Sequence, residues 1–319
     1  MRIFCLFIFV FLVGCKKNVE EIPCQQLQVP INTTYRDIHV FNENEYTICG
    51  GDESGGVIHK TIDGGSTWST SLTSFPNSIN CLFFLDNNTG FCADSDILIY
   101  KTTDGGINWN TFYATSWPLT VNRHLRDIYF NSDTSGFICG GKNYGNGVLY
   151  QTSNSGDYWS YNEYSHEYRG ICFADAVHGV LCGYGSLLVT ADGGSTFDNV
   201  ENGKAFYTGI SVDSNSSFWM CDFNGSIYQS TDFGISWNQK RKVGSWNMSQ
   251  PQLNCIAVSP SGRIASAGVN GFITWSDDAG DSWNDRESFG GNEILKISWI
   301  DNSTLLAVGK NGGVYKLKL

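Results

Sequence analysis

The chain is short of positive charge, of proline and of any motif that marks an active site. Its 319 residues carry 20 Lys and Arg against 31 Asp and Glu, a net charge of −11. That balance does not favour binding to bare nucleic acid or to an acidic membrane surface. Lys240-Arg241-Lys242 is a short basic run, read as a solvated loop. No CxxC pair is present, and His39, His59, His124, His166 and His178 show no metal-ligand spacing, so no metal site and no cofactor are expected. A nucleophile elbow, a phosphate loop and a dinucleotide fingerprint are missing too, which sets aside the enzyme classes built on them. Only six Pro and 16% charged residues stand beside 36 Gly and 14% aromatics. Such a composition suits many short strands joined by tight turns rather than disorder or a helical bundle.

The N-terminus reads as a targeting segment. Arg2 precedes an apolar run from Ile3 to Val13, too short to span a bilayer as a helix. Leu12-Val13-Gly14-Cys15 follows and resembles the bacterial lipoprotein processing box, with Cys15 as the lipidated thiol. The alternative is an ordinary secretory signal with a coincidental cysteine. The expected organisation is a signal peptide over 1–14, a lipidated tether over 15–24 and one folded unit over 25–319. The expected location is extracytoplasmic, with the chain held on a bacterial membrane in the periplasm or at the cell surface.

Eleven cysteines suggest a disulfide framework, but their spacing argues for packing. Removing Cys5 with the signal and Cys15 to lipid leaves an odd number. Cys49, Cys139, Cys182 and Cys221 share one register of an internal repeat, where other copies hold Ala93, Ala267 and Val308. A position shared by Cys, Ala and Val is a small buried site, although one or two bridges remain open.

That repeat dominates the sequence. Octets begin at residues 61, 102, 152, 190, 230 and 276 as TIDGGSTW, TTDGGINW, TSNSGDYW, TADGGSTF, STDFGISW and SDDAGDSW. Asp63, Asp104, Asn154, Asp192, Asp232 and Asp278 hold the third place, where a short polar side chain can accept bonds from turn amides two residues on. Glycine two places later fits a backbone that side chains avoid. Six copies argue for a structural turn, not for catalysis or calcium binding. Before each octet, and once more after the last, lie short alternating strands, the first with inward pairs at Ile38/Val40, Cys81/Phe83, Ile128/Phe130, Ile171/Phe173, Ile210/Val212, Cys255/Ala257 and Ile297/Trp299.

Each unit is therefore strand a, hairpin, strand b, loop, strand c, octet turn, strand d. Four antiparallel strands per repeat describe a propeller blade. Seven strand a segments predict an all-β, seven-bladed β-propeller. The last unit, residues 294–319, ends after strand c. Closure removes exposed edges, so residues 25–31 (QQLQVPI) are expected to supply the missing outer strand.

The octets resemble the Asp-box (BNR) repeat of bacterial neuraminidases. The longer texts SGFICGGKNYGNGVLYQTSNSGDYW (135–159) and HGVLCGYGSLLVTADGGSTF (178–197) are similar to the photosystem II assembly and stability factors. The resemblance covers residues 35–319. It implies a lipoprotein propeller that binds a newly made membrane subunit, with an arginine patch involved.

Propeller geometry places the a–b hairpins and octets on one face, and the strand a starts and b–c loops on the other. Arg36, Arg126 and Arg169 share one register on that second face, with Ile79, Thr208, Leu253 and Leu295 expected in the other blades. Planar guanidinium forks converging at one channel mouth suit a carboxylate, such as a peptide C-terminus or an acidic side chain. The competing reading pairs each arginine locally with Asp37, Asp127 or a neighbouring loop. Trp117, Tyr144 and Trp246 are candidate anchors in the surrounding loops. The expected partner is a protein or peptide with an accessible carboxylate, a membrane protein among the candidates, reached from a lipid-anchored position.

Two other functions compete with this non-enzymatic scaffold. A sialidase-like glycosidase also uses three arginines for its substrate carboxylate, but the Arg-Ile-Pro element is missing (YRDIHV) and Glu falls mostly in loops, at Glu53, Glu163, Glu167 and Glu201. A surface glycan-binding adhesin lipoprotein would use the same face.

Overall fold

The computed structural model describes residues 23–112, 123–200, 205–242, 251–286 and 291–319. Seven four-stranded antiparallel sheets stand as blades around a channel, and six of them use four strands consecutive in sequence. Their strand a segments, nearest the channel, are Tyr35–Val40, Ile79–Phe84, His124–Phe130, Tyr168–Phe173, Tyr207–Val212, Leu253–Val258 and Ile294–Trp299. Each touches the next around the ring, and the seventh returns to the first. Among the described residues no helix is long and apolar enough to cross a membrane.

The seventh blade is completed by Cys24–Gln26, which pairs antiparallel with Val314–Lys318. The strand starts one residue before the boundary expected from the sequence and is shorter than residues 25–31. The Leu27 amide adds one more bond to Val314 O at 2.8 Å. Leu27 is buried among Tyr35, Tyr46 and Leu306, which welds the first blade to the last. At the other end of this strand, Lys318 N donates to Pro23 O.

The core lies between blades rather than within them, as sheet-on-sheet packing requires. Phe137, Cys139 and Leu149 of blade three meet Tyr168, Ile171 and Phe173 of blade four. Ala265 and Ala267 of blade six meet Ile294, Ile297 and Trp299 of blade seven. Each fully buried large apolar side chain contributes about 1.5–3 kcal/mol. The shared register of Cys49, Ala93, Cys139, Cys182, Cys221, Ala267 and Val308 is buried throughout. The nine described cysteines form no disulfide, and all but Cys24 are buried.

Every strand a carries a β-bulge near its start, between Tyr35/Asp37, Ile79/Cys81, Leu125/Asp127, Tyr168/Gly170, Tyr207/Gly209, Leu253/Cys255 and Ile294/Lys296. This corrects two blades of the sequence reading. The residues equivalent to Ile38/Val40 are Leu82/Phe84 in blade two and Ile256/Val258 in blade six, not Cys81/Phe83 and Cys255/Ala257. A slip of one residue moves every side chain to the other face.

The octets form a recurrent turn, wired differently from expectation. Thr61 Oγ1 donates to Asp63 Oδ1 at 2.8 Å and accepts the Gly65 amide at 2.9 Å. Asp63 Oδ1 accepts the Thr67 amide, four residues on rather than two, at 2.8 Å. Both bonds to the third residue recur at Asp104, Asn154, Asp192, Asp232 and Asp278. The Ser or Thr that opens each octet, unassigned from the sequence, is thus a hub of the turn. The turn glycine also touches the preceding blade: a Cβ on Gly194, which has φ 88°, would lie 2.4 Å from the Phe137 ring.

Candidate functional site

Strand a inserts one extra residue into its ladder at the bulge, and a bulge re-aims the side chain it carries. The bulge residues are Arg36, Asn80, Arg126, Arg169, Thr208, Asn254 and Leu295. Thr208 and Leu295 stand where the sequence put them, whereas Asn80 and Asn254 replace the expected Ile79 and Leu253. Asn80, Thr208 and Asn254 each donate at 2.8 Å to a backbone carbonyl of the next blade, at Leu125, Leu253 and Ile294. Short polar side chains at this register stitch blade to blade. Arg36 and Arg126 instead reach side chains at the start of the next blade, Ser78 and Glu167, and with Arg169 they line the channel mouth.

Arg36, Arg126 and Arg169 line one cavity of about 160 Å3, together with Asn80, Thr208, Asn254 and Glu293. Arg126 Nε lies 3.1 Å and Arg169 Nη1 3.3 Å from the same oxygen, Oε1 of Glu167. Arg36 Nε donates to Ser78 Oγ at 2.9 Å, and among the described residues no carboxylate pairs with it. Local pairing is thus met at Arg126 and Arg169 by the neighbouring loop acid Glu167, and not by Asp37 or Asp127, which face Lys296 at 3.3 and 3.4 Å. Burial and the neighbouring charge of Arg169 bring the Arg126 guanidinium down to about 10, against the pull of Glu167. Burial, with Arg169 adding to it, also lowers Arg36. Asp37, Asp127 and Lys296 line the same cavity, and with Glu167 taken by Arg126 and Arg169 it is Arg36 that offers an incoming anion a guanidinium with no paired carboxylate among the described residues.

Glu167 is the residue that sequence reasoning passed over. Only 3% of its side chain is exposed. Its Oε2 accepts the Tyr144 amide at 3.1 Å, its own amide donates to Tyr144 O, and its carbonyl accepts the Tyr184 amide at 2.9 Å. It thereby joins the arginines to the b–c loops of blades three and four. The available signal was position: Glu167 lies two residues before Arg169 at the start of a strand a.

Of the three aromatic candidates, Tyr144 stands at this mouth with two-thirds of its surface exposed. Its ring lies 5.1 Å from Tyr184 and 6.0 Å from Phe206. Trp117 and Trp246 lie outside the described residues, as does Cys15.

Below this mouth the Lys296 ammonium and the Asp37 and Asp127 carboxylates narrow the channel. Past them, a second cavity of about 530 Å3 opens toward the octet face and is lined by Phe83, Tyr129, Val212, Val258 and Trp299. Burial works against the Lys296 charge, but the two carboxylates outweigh it and hold the ammonium above its ordinary range. Asp37 is raised by burial and by the nearby Asp127 charge, although Lys296 opposes this.

No protein-family model matches the chain, and no curated protein matches it. Solved structures do. YCF48 bound to D1 peptide superposes with a TM-score of 0.71 at 19% identity, over 93% of this chain and 97% of that one. YCF48 from Cyanidioschyzon merolae gives 0.69 at 16% identity, over 92% and 98%. Over nearly its whole length, the chain shares its seven-bladed fold with these proteins.

Proposed function

We propose that the chain is a non-catalytic binding protein that takes an extended protein segment with a free carboxylate into the arginine mouth, in the manner of an assembly factor or scaffold. The observation that carries this reading is the placement of Arg36, Arg126 and Arg169 on equivalent bulges around one cavity, with a single buried carboxylate bonded to two of them. Charge-assisted, forked contacts are the strong way to hold a carboxylate. The fold shared with YCF48, solved with a D1 peptide bound, supports a peptide as occupant. Glu167 and Glu293 are fixed by Arg126, Arg169, Lys310 and Asn254, a role in placement rather than in proton transfer.

Binding of a labelled peptide with a free C-terminus tests this, measured against the Arg36→Ala/Arg126→Ala/Arg169→Ala variant. The variant is expected to fold and to lose the peptide; undiminished binding would reject the site. A fluorogenic sialoside checks the glycosidase reading, and no turnover is expected. The propeller is further proposed to work as a lipoprotein tethered through Cys15, outside the cytoplasm. Cys15→Ala should then move the protein from the detergent phase to the aqueous phase; unchanged partitioning would end the proposal.

A further inference from the structure

Beside the arginines lies a cluster of aromatic rings that the ring closure does not use. Tyr144, Tyr184 and Phe206 are mutually in contact, with Tyr184 and Phe206 5.5 Å apart. They come from the b–c loops of blades three and four and the segment entering blade five. Tyr144 and Phe206 are exposed, and so is the neighbouring Phe223, whose amide donates to Phe206 O at 2.9 Å. Large apolar groups grouped at one rim mark an interaction surface better than single exposed ones do.

Two features show that this platform is held in place. Tyr144 has φ 66°, between Asn143 at 57° and Asn146 at 49°. Left-handed backbone is costly for a bulky residue and persists only where surroundings enforce it. Asn143 and Tyr144 form the two-residue turn of the hairpin that pairs Lys142 with Gly145, where both central residues take positive φ, and Glu167 braces it by accepting the Tyr144 amide through Oε2 while Oε1 takes Arg126 and Arg169. One buried carboxylate therefore sets the platform and two of the guanidiniums relative to each other. The Arg169 guanidinium carbon also lies 5.4 Å from the centre of the Tyr184 ring, so anion site and platform abut.

We infer that the mouth reads two features at once: a main-chain terminal carboxylate and the bulky apolar side chain of that same final residue. This deepens the proposed function and rests on it. A last residue carries carboxylate and side chain on one Cα, which suits two subsites in contact. An acidic side chain would place the next residue's apolar group at least one Cα step of about 3.8 Å farther along. Tyr144 and Phe206 are the specificity-determining residues, and Glu167 positions both halves.

The test uses dye-labelled decapeptides of one sequence ending in Phe-acid, Ala-acid or Phe-amide, with fluorescence anisotropy on the whole chain. The Phe acid is expected to bind about tenfold more tightly than the Ala acid, and amidation to weaken binding strongly. Tyr144→Ala and Phe206→Ala change exposed rings and should leave the fold intact. Each should reduce the Phe-over-Ala preference toward one while keeping the acid-over-amide preference. Equal affinity for the Phe and Ala acids would overturn the platform and leave the arginine site standing. Equal affinity for acid and amide, or no binding by any peptide, would overturn the arginine site and this inference with it.

Discussion

The Nζ of Lys296 in blade seven lies 3.4 Å from Oδ1 of Asp127 in blade three, on the opposite side of the channel. The same ammonium lies 3.3 Å from Asp37 in blade one. These two carboxylates also accept backbone amides of the following blades, Leu82 N at 2.9 Å and Ile171 N at 3.0 Å. Charges at the channel waist thus tie five blades together.

Removing that ammonium should be costly. Lys296→Met leaves Asp37 and Asp127 facing each other without a counter-charge, and breaking such a pair costs more than the pair contributes. About a third of the lysine side chain meets channel solvent, which reduces the penalty to about 1–3 kcal/mol. Urea denaturation measures it. Lys296→Arg, which keeps the charge, should lose much less; equal losses would mean that packing, not charge, matters there.

Stability should fall on acidification in two separate ranges. Burial brings His39 and His59 to about 4 from an ordinary 6.5. The unfolded chain therefore takes up protons first, and stability present above pH 6.5 is lost as pH falls toward 4. Hydrogen bonds from Thr67, Thr196 and Ser282 bring Asp63, Asp192 and Asp278 to about 2 from 3.8. Their stabilisation is complete above 3.8 and disappears as pH falls toward 2. Asn154 already makes the same turn with an amide. The Asp63→Asn/Asp192→Asn/Asp278→Asn variant should therefore make the lower range shallower, with Asp175, also brought to about 2, still contributing, and keep the upper one, as read by urea titrations at pH 7, 5 and 3.

Ring closure depends on a short strand and one leucine. Leu27→Ala should cost about 2–5 kcal/mol, the usual range for a buried leucine. Deleting residues 24–27 should cost more, because it also exposes the edge of Val314–Lys318. Thermal unfolding checks both; a transition unmoved by the deletion would show that the seventh blade stands without its outer strand.

Thiol reactivity should be divided sharply. Burial raises Cys24 as well as Cys49, Cys81, Cys92, Cys139, Cys172, Cys182, Cys221 and Cys255, so access divides them: Cys24 is exposed and the other eight are buried. Of the nine described cysteines, Cys24 alone is expected to react rapidly with an aromatic disulfide in the native protein. The other eight should follow only in denaturant.

Blade number, the order of strands and the octets were legible because each copy repeats a turn chemistry with its own physical reason. The arginine register was legible in blades one, three and four, where each arginine stands two residues before an isoleucine. In blades two and six it was misplaced by one residue. There Cys81 and Cys255 occupy the place held elsewhere by Asp37, Asp127 or Lys296, yet both are buried in apolar packing against the following blade, so burial and alternation do not reveal the shift. A bulge interrupts the period of two, so alternation cannot locate it. Glu167 was hidden differently. It looked like one more loop acid, and only the folded loops bring its two oxygens to arginines and to Tyr144.

The bond from Lys318 N to Pro23 O has a directional consequence. It fixes the entry of the chain at the end of the seventh blade that carries the hairpin turns, whereas the arginines open at the other end. A pull on the residues before Pro23 is delivered to the hairpin side. Load carried by that segment would enter the ring at the outer strand of its seventh blade, at the end away from the arginine mouth.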